Sequence, residues 1–374
     1  MYLRGDRNFE SVEGRPITTL VVCEARGIAP SEKKEKSMKM RFAEFIRKNY
    51  QVIITATVIV GLLLGLWTTS PGKAVQGYSQ ALTFLMILFI SLTITPRQFA
   101  LVARQPVAVL TGLALNFVYM PLLCWALARL LVSDPELATG IILVGVVPCA
   151  GMAAVWTSLL KGDVPLGMAI NALTMVLGPF LIPPLMVLLA GSSVQIDPWA
   201  MFQQLAVILL MPLLLGLAVR WLADRFWNPQ PYLSLMPALS ALTAVLLMFA
   251  VCNVNVPLIR DRWSLVPALL GAVVLIFPLG FLVPHWLGRF AFDWPQRIAV
   301  TYSSGMKNLP IAVGLAFASF SRLAGLPVAL AFIVQMLAAS LFYRYLNGQA
   351  MRLAAAAQTG ERPAESVNSR PPAA

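Results

Sequence analysis

Apolar stretches of about twenty residues, separated by short polar loops, recur along most of the chain. A helix needs about 20 apolar residues to cross a bilayer whose hydrocarbon core is roughly 30 Å thick. Ten stretches meet this requirement, and they lie at about 51–69, 77–94, 107–132, 138–160, 166–190, 202–222, 233–256, 265–287, 297–320 and 327–346. The pattern therefore predicts an all-α membrane protein with ten transmembrane helices.

Two of the predicted spans are interrupted near their middle by small residues and proline. The fourth contains Val-Pro-Cys-Ala-Gly at 147–151, and the ninth contains Ser-Ser-Gly-Met-Lys-Asn-Leu-Pro at 303–310. Proline removes a backbone donor and clashes with the preceding turn, so both helices are expected to break. Freed backbone groups at membrane depth must face protein or a wet cavity.

The two interruptions lie five spans apart, which indicates two inverted five-helix repeats, spans 1–5 and 6–10. Matching interruptions in two halves are typical of the binding site of a secondary transporter. The N-termini of the half-helices would direct positive dipole ends at an anionic substrate. The alternative interpretation is that both are ordinary kinks, because glycine and proline are common in transmembrane helices.

Composition supports a lipid-embedded protein: 59% of the residues are hydrophobic and only 12% are charged, against roughly 25% charged in soluble domains. The net charge of +12 lies in tails and short loops, with no basic face interleaved with aromatic residues. Nucleic acid is therefore not an expected partner. The distribution of Lys and Arg favours cytoplasmic N- and C-termini, with the chain crossing the cell's inner (plasma) membrane several times.

The sequence divides into three parts. Residues 1–40 form a polar, basic cytoplasmic tail without a secretory signal peptide, and Met38 or Met40 is an equally suitable start. Residues 41–350 form the ten-helix transporter domain. Residues 351–374, rich in Ala, Pro and polar residues, are predicted to be a disordered cytoplasmic tail.

The sequence shows no signature of an enzyme, a pump or a cofactor protein. Its four cysteines have no CxxC spacing, so neither a disulfide framework nor a zinc site is indicated. The spans contain no central carboxylate and no HExxH or GxSxG motif, and no Walker motif is present. We therefore expect a transporter that is not an enzyme and that needs no metal or cofactor.

Several segments resemble the bile acid:sodium symporter superfamily, which includes the arsenite permeases. They are Gly140–Pro148 with Leu160–Asp163, Asn116–Leu122 and Gly305–Asn308, in the order of the family's fourth, third and ninth spans. The resemblance covers about residues 41–346. It implies a core domain of spans 3–5 and 8–10 with broken helices 4 and 9 crossing, and a panel domain of spans 1, 2, 6 and 7. Substrate would bind between the domains, and their rocking would give alternating access.

The chain departs from the sodium-coupled members at the positions that would bind the two ions. The family's Ser-Asn in span 4 corresponds to Ala153 and Ala154, and its Glu in span 9 corresponds to Ser303. The remaining ligand positions correspond to Gly167 and Asn171 in span 5, Asn116 in span 3 and Lys307 in span 9. Sodium prefers several oxygen ligands, including a carboxylate. The resemblance therefore does not carry sodium coupling over to this chain.

Lys307 is the only charged side chain near the middle of any predicted span. Burying such a charge costs at least about 2.5–3.5 kcal/mol on insertion scales, so intramembrane lysines are usually functional. We interpret its ammonium as a stand-in for the missing sodium ion, placed to neutralise the broken helix, to attract an anion or to carry a coupling proton. The alternative is a structural lysine that binds half-helix carbonyls in every state.

Cys149 favours a different substrate. The stretch Pro148–Trp156, followed by 161–163, is similar to the arsenite permeases, which place a cysteine at this break. A thiolate is a soft ligand that suits trivalent arsenic, although lone buried cysteines are more often inert small hydrophobes. The permeases' acidic motif in span 9 is absent from this sequence.

The sequence thus predicts a secondary active transporter of a small organic anion, with an arsenite or metalloid efflux permease as the alternative. The predicted partners are the lipid bilayer and a small anionic solute or metalloid, with a proton or no coupling ion favoured over sodium. The predicted substrate and coupling residues are Lys307, Asn308, Ser303, Ser304, Met306, Cys149, Asn171 and Asn116.

Overall fold

The computed structural model describes residues 49, 52–94, 104–191, 194–226, 230–233, 235–261 and 263–359. The regular elements among these residues are helices, with no strand, which confirms the predicted all-α class. In chain order the helices are α1 (Val52–Gly65), α2 (Ser70–Gln76), α3 (Ser79–Ser91), α4 (Pro106–Leu131), α5 (Pro135–Val146), α6 (Met152–Leu159), α7 (Val164–Ala190), α8 (Pro198–Phe226), α9 (Gln230–Leu233), α10 (Met236–Asp261), α11 (Val266–Gly288), α12 (Trp294–Gly305), α13 (Leu309–Ser319) and α14 (Arg322–Thr359).

Within the part of the chain that the structure describes, six helical stretches are long and apolar enough to cross a membrane. They are α4, α7, α8, α10, Trp263–Gly288, which includes α11, and Leu323–Gln349 within α14. The pair α2 and α3, bent by 60° at its break, brings the number to seven. The apolar helices α1, α5 and α13 are shorter. The chain is therefore an integral membrane protein, while ten spans and the inverted repeat stay predictions.

Most helix ends lie within several residues of the predicted boundaries, and two differences are larger. A separate helix, α2, precedes the second predicted span, and α14 continues through residues 351–359, which the sequence assigns to the tail. The N-terminal tail with Met38 and Met40, residues 95–103 and residues 360–374 lie outside the described residues.

Four helices begin in the same way, with an aspartate N-cap and a proline in the first turn. The side chain of Asp134 accepts hydrogen bonds from the backbone N–H groups of Glu136 and Leu137 at the start of α5. Helix starts leave N–H groups unpaired, and proline fits the first turn because it has no N–H to leave unpaired. The equivalent caps are Asp163 on α7, Asp197 on α8 and Asp293 on α12.

The helices α4 and α8 each contain a π-helical turn, at Leu115–Tyr119 and Ala206–Leu210. Both turns lie directly before the same sequence, Met-Pro-Leu-Leu, at 120–123 and 211–214. A proline inside a helix lacks an N–H and clashes with the carbonyl four residues earlier. The wider π turn accommodates both constraints, and it leaves backbone carbonyls available to other parts of the protein.

Contacts between helix ends define two opposite faces of the bundle. At one face α6 ends and α7 and α12 begin, because Asp163 N donates to Pro295 O (2.9 Å). Arg220 near the end of α8 donates to Leu92 O at the end of α3. Thr93 after α3, Pro237 at the start of α10 and Met168 in the first turns of α7 line one cavity, so these helix ends lie on the same side. We call this the α7-start face. At the other face α7 and α13 end and α8 begins; we call it the α8-start face.

Candidate functional site

The two predicted helix breaks lie side by side in the structure. Helix α5 ends at Val146 and α6 begins at Met152, while α12 ends at Gly305 and α13 begins at Leu309. Between them, the extended segments 148–150 and 306–308 form an antiparallel bridge that pairs Cys149 with Lys307. Ala150 N donates to Met306 O (2.9 Å), and Asn308 N donates to Pro148 O (2.8 Å). Each break thus provides hydrogen-bond partners for some of the backbone N–H and C=O groups of the other.

Side chains from two other helices complete the hydrogen bonding of this bridge. Gln335 of α14 serves both backbone groups of Lys307: its Oε1 accepts from Lys307 N (2.8 Å) and its Nε2 donates to Lys307 O (3.1 Å). Thr174 of α7 accepts a bond from Cys149 N (3.3 Å). A buried backbone group without a partner costs about 1–3 kcal/mol. These two side chains therefore stabilise the extended backbone away from water.

The Lys307 side chain is fully buried and its ammonium contacts three oxygens. Nζ donates to Asn116 O (3.1 Å), Asn116 Oδ1 (3.1 Å) and Val147 O (3.0 Å). Val147 is the C-cap of α5, so the positive charge lies at the negative end of that helix dipole. An ammonium has three N–H donors, and all three are used. In this conformation none is left for a substrate anion.

The local structure of α4 explains why Asn116 offers a backbone carbonyl. In the π turn, Met120 N donates to Leu115 O, five residues back. The same spacing would pair Asn116 O with residue 121, but Pro121 has no N–H. The carbonyl is therefore free to accept from Lys307. The Asn116 amide is held in place by its own bonds, because Nδ2 donates to Gly112 O (2.9 Å) and Ser303 O (3.0 Å).

Two ring and loop contacts hold α6 and α12 together beyond the bridge. The rings of Trp156 and Tyr302 stack with centroids 6.0 Å apart and planes 9° from parallel. Nearer the α7-start face, Trp294 Nε1 donates to Leu160 O (3.2 Å). These two contacts join α6 to α12 and its first turn on this side of the bridge.

A cavity of about 320 Å³ borders the bridge and opens towards the α7-start face. Its deep end is buried, at Lys307, Asn308 and Gln335, and its half-buried mouth includes Thr93 and Pro237. The lining residues are Met86, Ile90, Thr93, Ala150, Gly151, Met152, Val155, Met168, Met175, Pro237, Ala238, Ser240, Ala241, Ala244, Lys307, Asn308, Pro310, Phe332, Gln335 and Met336. Lys307 is the one charged residue among these described lining residues, and five are methionines.

The starts of α6 and α13 both face this cavity. Gly151 and Met152 at the start of α6 line it, as do Asn308 and Pro310 at the start of α13. Helix N-termini carry unpaired N–H groups and partial positive charge, so together they favour an anion. The Asn308 side chain makes no cap bond to its own helix. Its amide therefore faces the cavity as a hydrogen-bonding group.

Of the eight predicted site residues, Lys307 and Asn308 line the cavity, and the other six pack behind it. Asn116 binds Lys307, and Met306 and Cys149 belong to the bridge. Ser304 Oγ bonds back to Val300 O within α12 (2.8 Å). The remaining two hold buried oxygens without a hydrogen-bond partner, Ser303 Oγ and Asn171 Oδ1.

The donor set around Lys307 does not fit a sodium ion. The three oxygens nearest the break already bind the ammonium, which occupies the space that a metal ion would need. The described residues contain no group of three or more His, Cys, Asp or Glu side chains that could hold a metal. The local charge is thus supplied by the protein itself.

Sequence reasoning missed two parts of this site. In the sequence, Gln335 looks like an ordinary polar residue that links two helices. Its hydrogen bonds to Lys307, 28 residues away, depend on how the helices pack. The five methionines of the cavity wall come from four helices, α3, α6, α7 and α14, and each has the local sequence pattern of a core residue.

Comparison with known proteins gives matches over the same region. The family model described as the Sodium Bile acid symporter family matches residues 81–262. An uncharacterized sodium-dependent transporter of Bacillus subtilis, YocS, is 28% identical over 295 residues, which cover 77% of this chain and 88% of the relative. A probable chloroplastic sodium/metabolite cotransporter of rice (Oryza sativa subsp. japonica), BASS2, is 25% identical over 76% of this chain and 67% of its own length. The arsenical-resistance protein Acr3 of Corynebacterium glutamicum is 25% identical over 56% of this chain and 61% of its own.

Proposed function

We propose that this chain, as a transporter of the sodium bile acid symporter family, moves a small organic anion across the membrane. Transport occurs by alternating access and without sodium coupling. The observation that carries the proposal is the lysine ammonium bound at the crossing of the two broken helices, beside a cavity with one polar end.

We infer ten membrane spans arranged as two inverted five-helix repeats. In this arrangement α5 and α6 together form one broken span, and α12 and α13 form the other. Each of these four helices alone is shorter than a full span. Spans 3–5 and 8–10 form the core, and α1, α3, α8 and α10 belong to the panel. Both termini lie in the cytoplasm and the membrane is the cell's inner membrane, as the distribution of basic residues favours.

The cavity suits an anion with an apolar body. Its acidic group would lie at the starts of α6 and α13, where Asn308 and the helix N-termini supply hydrogen-bond donors. Its apolar part would pack against the methionines, whose flexible, polarizable side chains adapt to varied shapes. The cavity is close to the lower end of the size range for small-molecule sites, which is about 300 Å³.

In this chain Lys307 takes over the role that a bound sodium ion would have at the crossing. The ammonium binds the oxygens of Asn116 and Val147 and supplies a positive charge between the broken helices. A charge tethered to the protein needs no ion gradient in order to be bound. The substrate gradient, or a proton, therefore drives transport.

Counterflow in proteoliposomes tests this function. Purified protein is loaded with each of a panel of unlabelled carboxylates, and uptake of the same labelled compound is measured in sodium buffer and in potassium buffer. We expect exchange of at least one monocarboxylate at equal rates in both buffers. Uptake that requires an inward sodium gradient would refute sodium independence, and no exchange with any anion would refute the substrate class.

Arsenite efflux is the second candidate, because Acr3 is among the relatives and Cys149 lies at the break. In the present conformation the Cys149 thiol is fully buried and outside the cavity lining, and it donates to Ala150 O (3.4 Å). Expression in an arsenite-sensitive host separates the candidates. Tolerance that is lost in Cys149→Ser would favour the metalloid, whereas unchanged sensitivity favours the organic anion.

A further inference from the structure

One residue of the predicted panel bonds directly to the core at the α8-start face. Gln204 lies in the first turns of α8, and its Nε2 donates to Ala318 O (2.9 Å). Its Oε1 accepts a hydrogen bond from Ser319 Oγ. Ala318 and Ser319 are the last residues of α13, the half-helix that begins at the cavity. A single amide thus uses both of its ends to join the panel to the end of a broken span.

The same half of the molecule is closed by tight packing. A Cβ on Gly314 of α13 would lie 2.4 Å from Thr83 Oγ1 of α3, so these two helices touch at the glycine. A Cβ on Gly325 of α14 would lie 3.3 Å from Val251 of α10. Panel and core are therefore in direct contact between the cavity and the α8-start face.

The other half of the molecule is open. The cavity extends from Lys307 towards the α7-start face, where Thr93, Pro237 and Ala241 are only half-buried. Its walls come from panel helices α3 and α10 on one side and core helices α6, α7 and α14 on the other. The structure is thus open at one face and closed at the other, as alternating access requires of one end state.

We propose that Gln204 is the latch that closes the α8-start face in this state. The inference rests on the proposed alternating access between panel and core. The carbonyls at the end of α13 lack partners within their own helix, and Gln204 supplies one while the face is closed. When panel and core separate, water can replace the amide at Ala318 O, so the latch opens without leaving a buried polar group unpaired.

Gln204 acts as a positioning residue and has no contact with the cavity, so its effect should appear in the balance of the two end states. Replacing it with alanine removes both hydrogen bonds and leaves the glycine contacts in place. We expect the α8-start face to open more often, on the order of tenfold, as follows from losing two neutral hydrogen bonds. The adjacent Gln203 is exposed and provides a matched control, Gln203→Ala.

Accessibility of a single cysteine measures this change. Thr83→Cys places a thiol at the closed contact with Gly314, and a membrane-impermeant maleimide is applied to each side of the membrane in turn. Protein without Thr83→Cys reports the background of the buried native cysteines. Labelling from the α8-start side should be slow in the parent, about tenfold faster with Gln204→Ala, and unchanged with Gln203→Ala.

A cross-linking experiment gives the converse result. A short bifunctional thiol reagent applied to Gln204→Cys with Ser319→Cys should join panel to core and stop exchange, while Gln203→Cys with Ser319→Cys should keep exchanging. If Gln204→Ala does not fold, Ser319→Ala removes one bond from the other partner and should give a smaller increase in labelling.

The labelling assay needs no transported solute, so the two proposals can fail separately. Unchanged labelling in Gln204→Ala overturns the latch even if the protein transports normally. Exchange that continues after Gln204→Cys is cross-linked to Ser319→Cys overturns it as well. Absence of exchange with every anion overturns the proposed function, whatever the labelling shows.

Discussion

Replacement of Lys307 tests most directly whether its ammonium serves in place of a bound cation at the crossing of the broken helices. The substitution Lys307→Met keeps an unbranched apolar side chain of similar length and removes the ammonium. Three oxygens, Asn116 O, Asn116 Oδ1 and Val147 O, then lose their donor in a fully buried place. The same change also removes the unfavourable desolvation of a buried charge.

The balance of these effects can be worked out from the structure. Hydrogen bonds to a charged group contribute about 1.5–3 kcal/mol each, so three of them stabilise the fold by roughly 4.5–9 kcal/mol. Burying the charge costs about 2.5–3.5 kcal/mol on insertion scales. The ammonium is therefore net stabilising, and Lys307→Met should lower the free energy of unfolding by roughly 1–6.5 kcal/mol.

Thermal unfolding in detergent and transport in proteoliposomes measure the two consequences. We expect a lower unfolding temperature and loss of exchange in sodium-free buffer. Lys307→Gln is a second variant, since its amide is about one bond shorter and leaves room beside the oxygens. Its stability should rise when sodium replaces potassium, while the wild-type protein responds equally to both salts. Lys161→Gln, at an exposed position after α6, is the matched control.

One result would refute the reasoning. If Lys307→Gln exchanged substrate at the wild-type rate in sodium-free buffer, with unchanged unfolding temperature, the ammonium would be neither a stand-in for a cation nor a stabilising group. A drop in stability with unchanged transport would identify a purely structural lysine.

Two further substitutions test the packing and bonding around the break. Gly305→Ala should abolish transport and expression of folded protein, because the new Cβ would lie 2.4 Å from the ring of Phe281. Gly271→Ala is the control and should leave both unchanged, because its Cβ would have no atom within 4 Å. Gln335→Leu should lower the free energy of unfolding by about 1–3 kcal/mol, because it leaves the N–H of Lys307 unpaired, while the C=O of Lys307 still accepts from Leu309 N (2.9 Å). Thermal unfolding checks this, and Gln335→Glu, which keeps an acceptor for the N–H, should be affected less.

The helix breaks and the unusual lysine could be predicted from the sequence because each has a local chemical cause. Proline and small residues disrupt a helix wherever they occur together, and a charge inside an apolar run stands out without knowledge of the fold. The class of all-α membrane protein follows from composition and run length in the same way. The number of spans depends instead on how short apolar helices such as α5 and α13 combine, and run length does not determine that.

The partners of the break could not be predicted, because they depend on three-dimensional packing. Asn116 was expected to line the site through its side chain, yet its backbone carbonyl also binds Lys307, owing to the π turn before Pro121. Nothing local in the sequence pairs Gln335 with Lys307 or Gln204 with Ser319, which are far apart along the chain. Such pairs become visible only once helices are assembled.

A counter-charge that is covalently part of the chain returns to its starting place at the end of every transport cycle. Over a full cycle the ammonium of Lys307 therefore moves no net charge across the bilayer, unlike a co-transported sodium ion. A monovalent anion that crosses alone would carry its full charge through the electric field, a difference of about 2.3 kcal/mol for each 100 mV. An interior-negative voltage would then push such a solute outwards, and a tethered ammonium does not offset that force as a co-transported cation would.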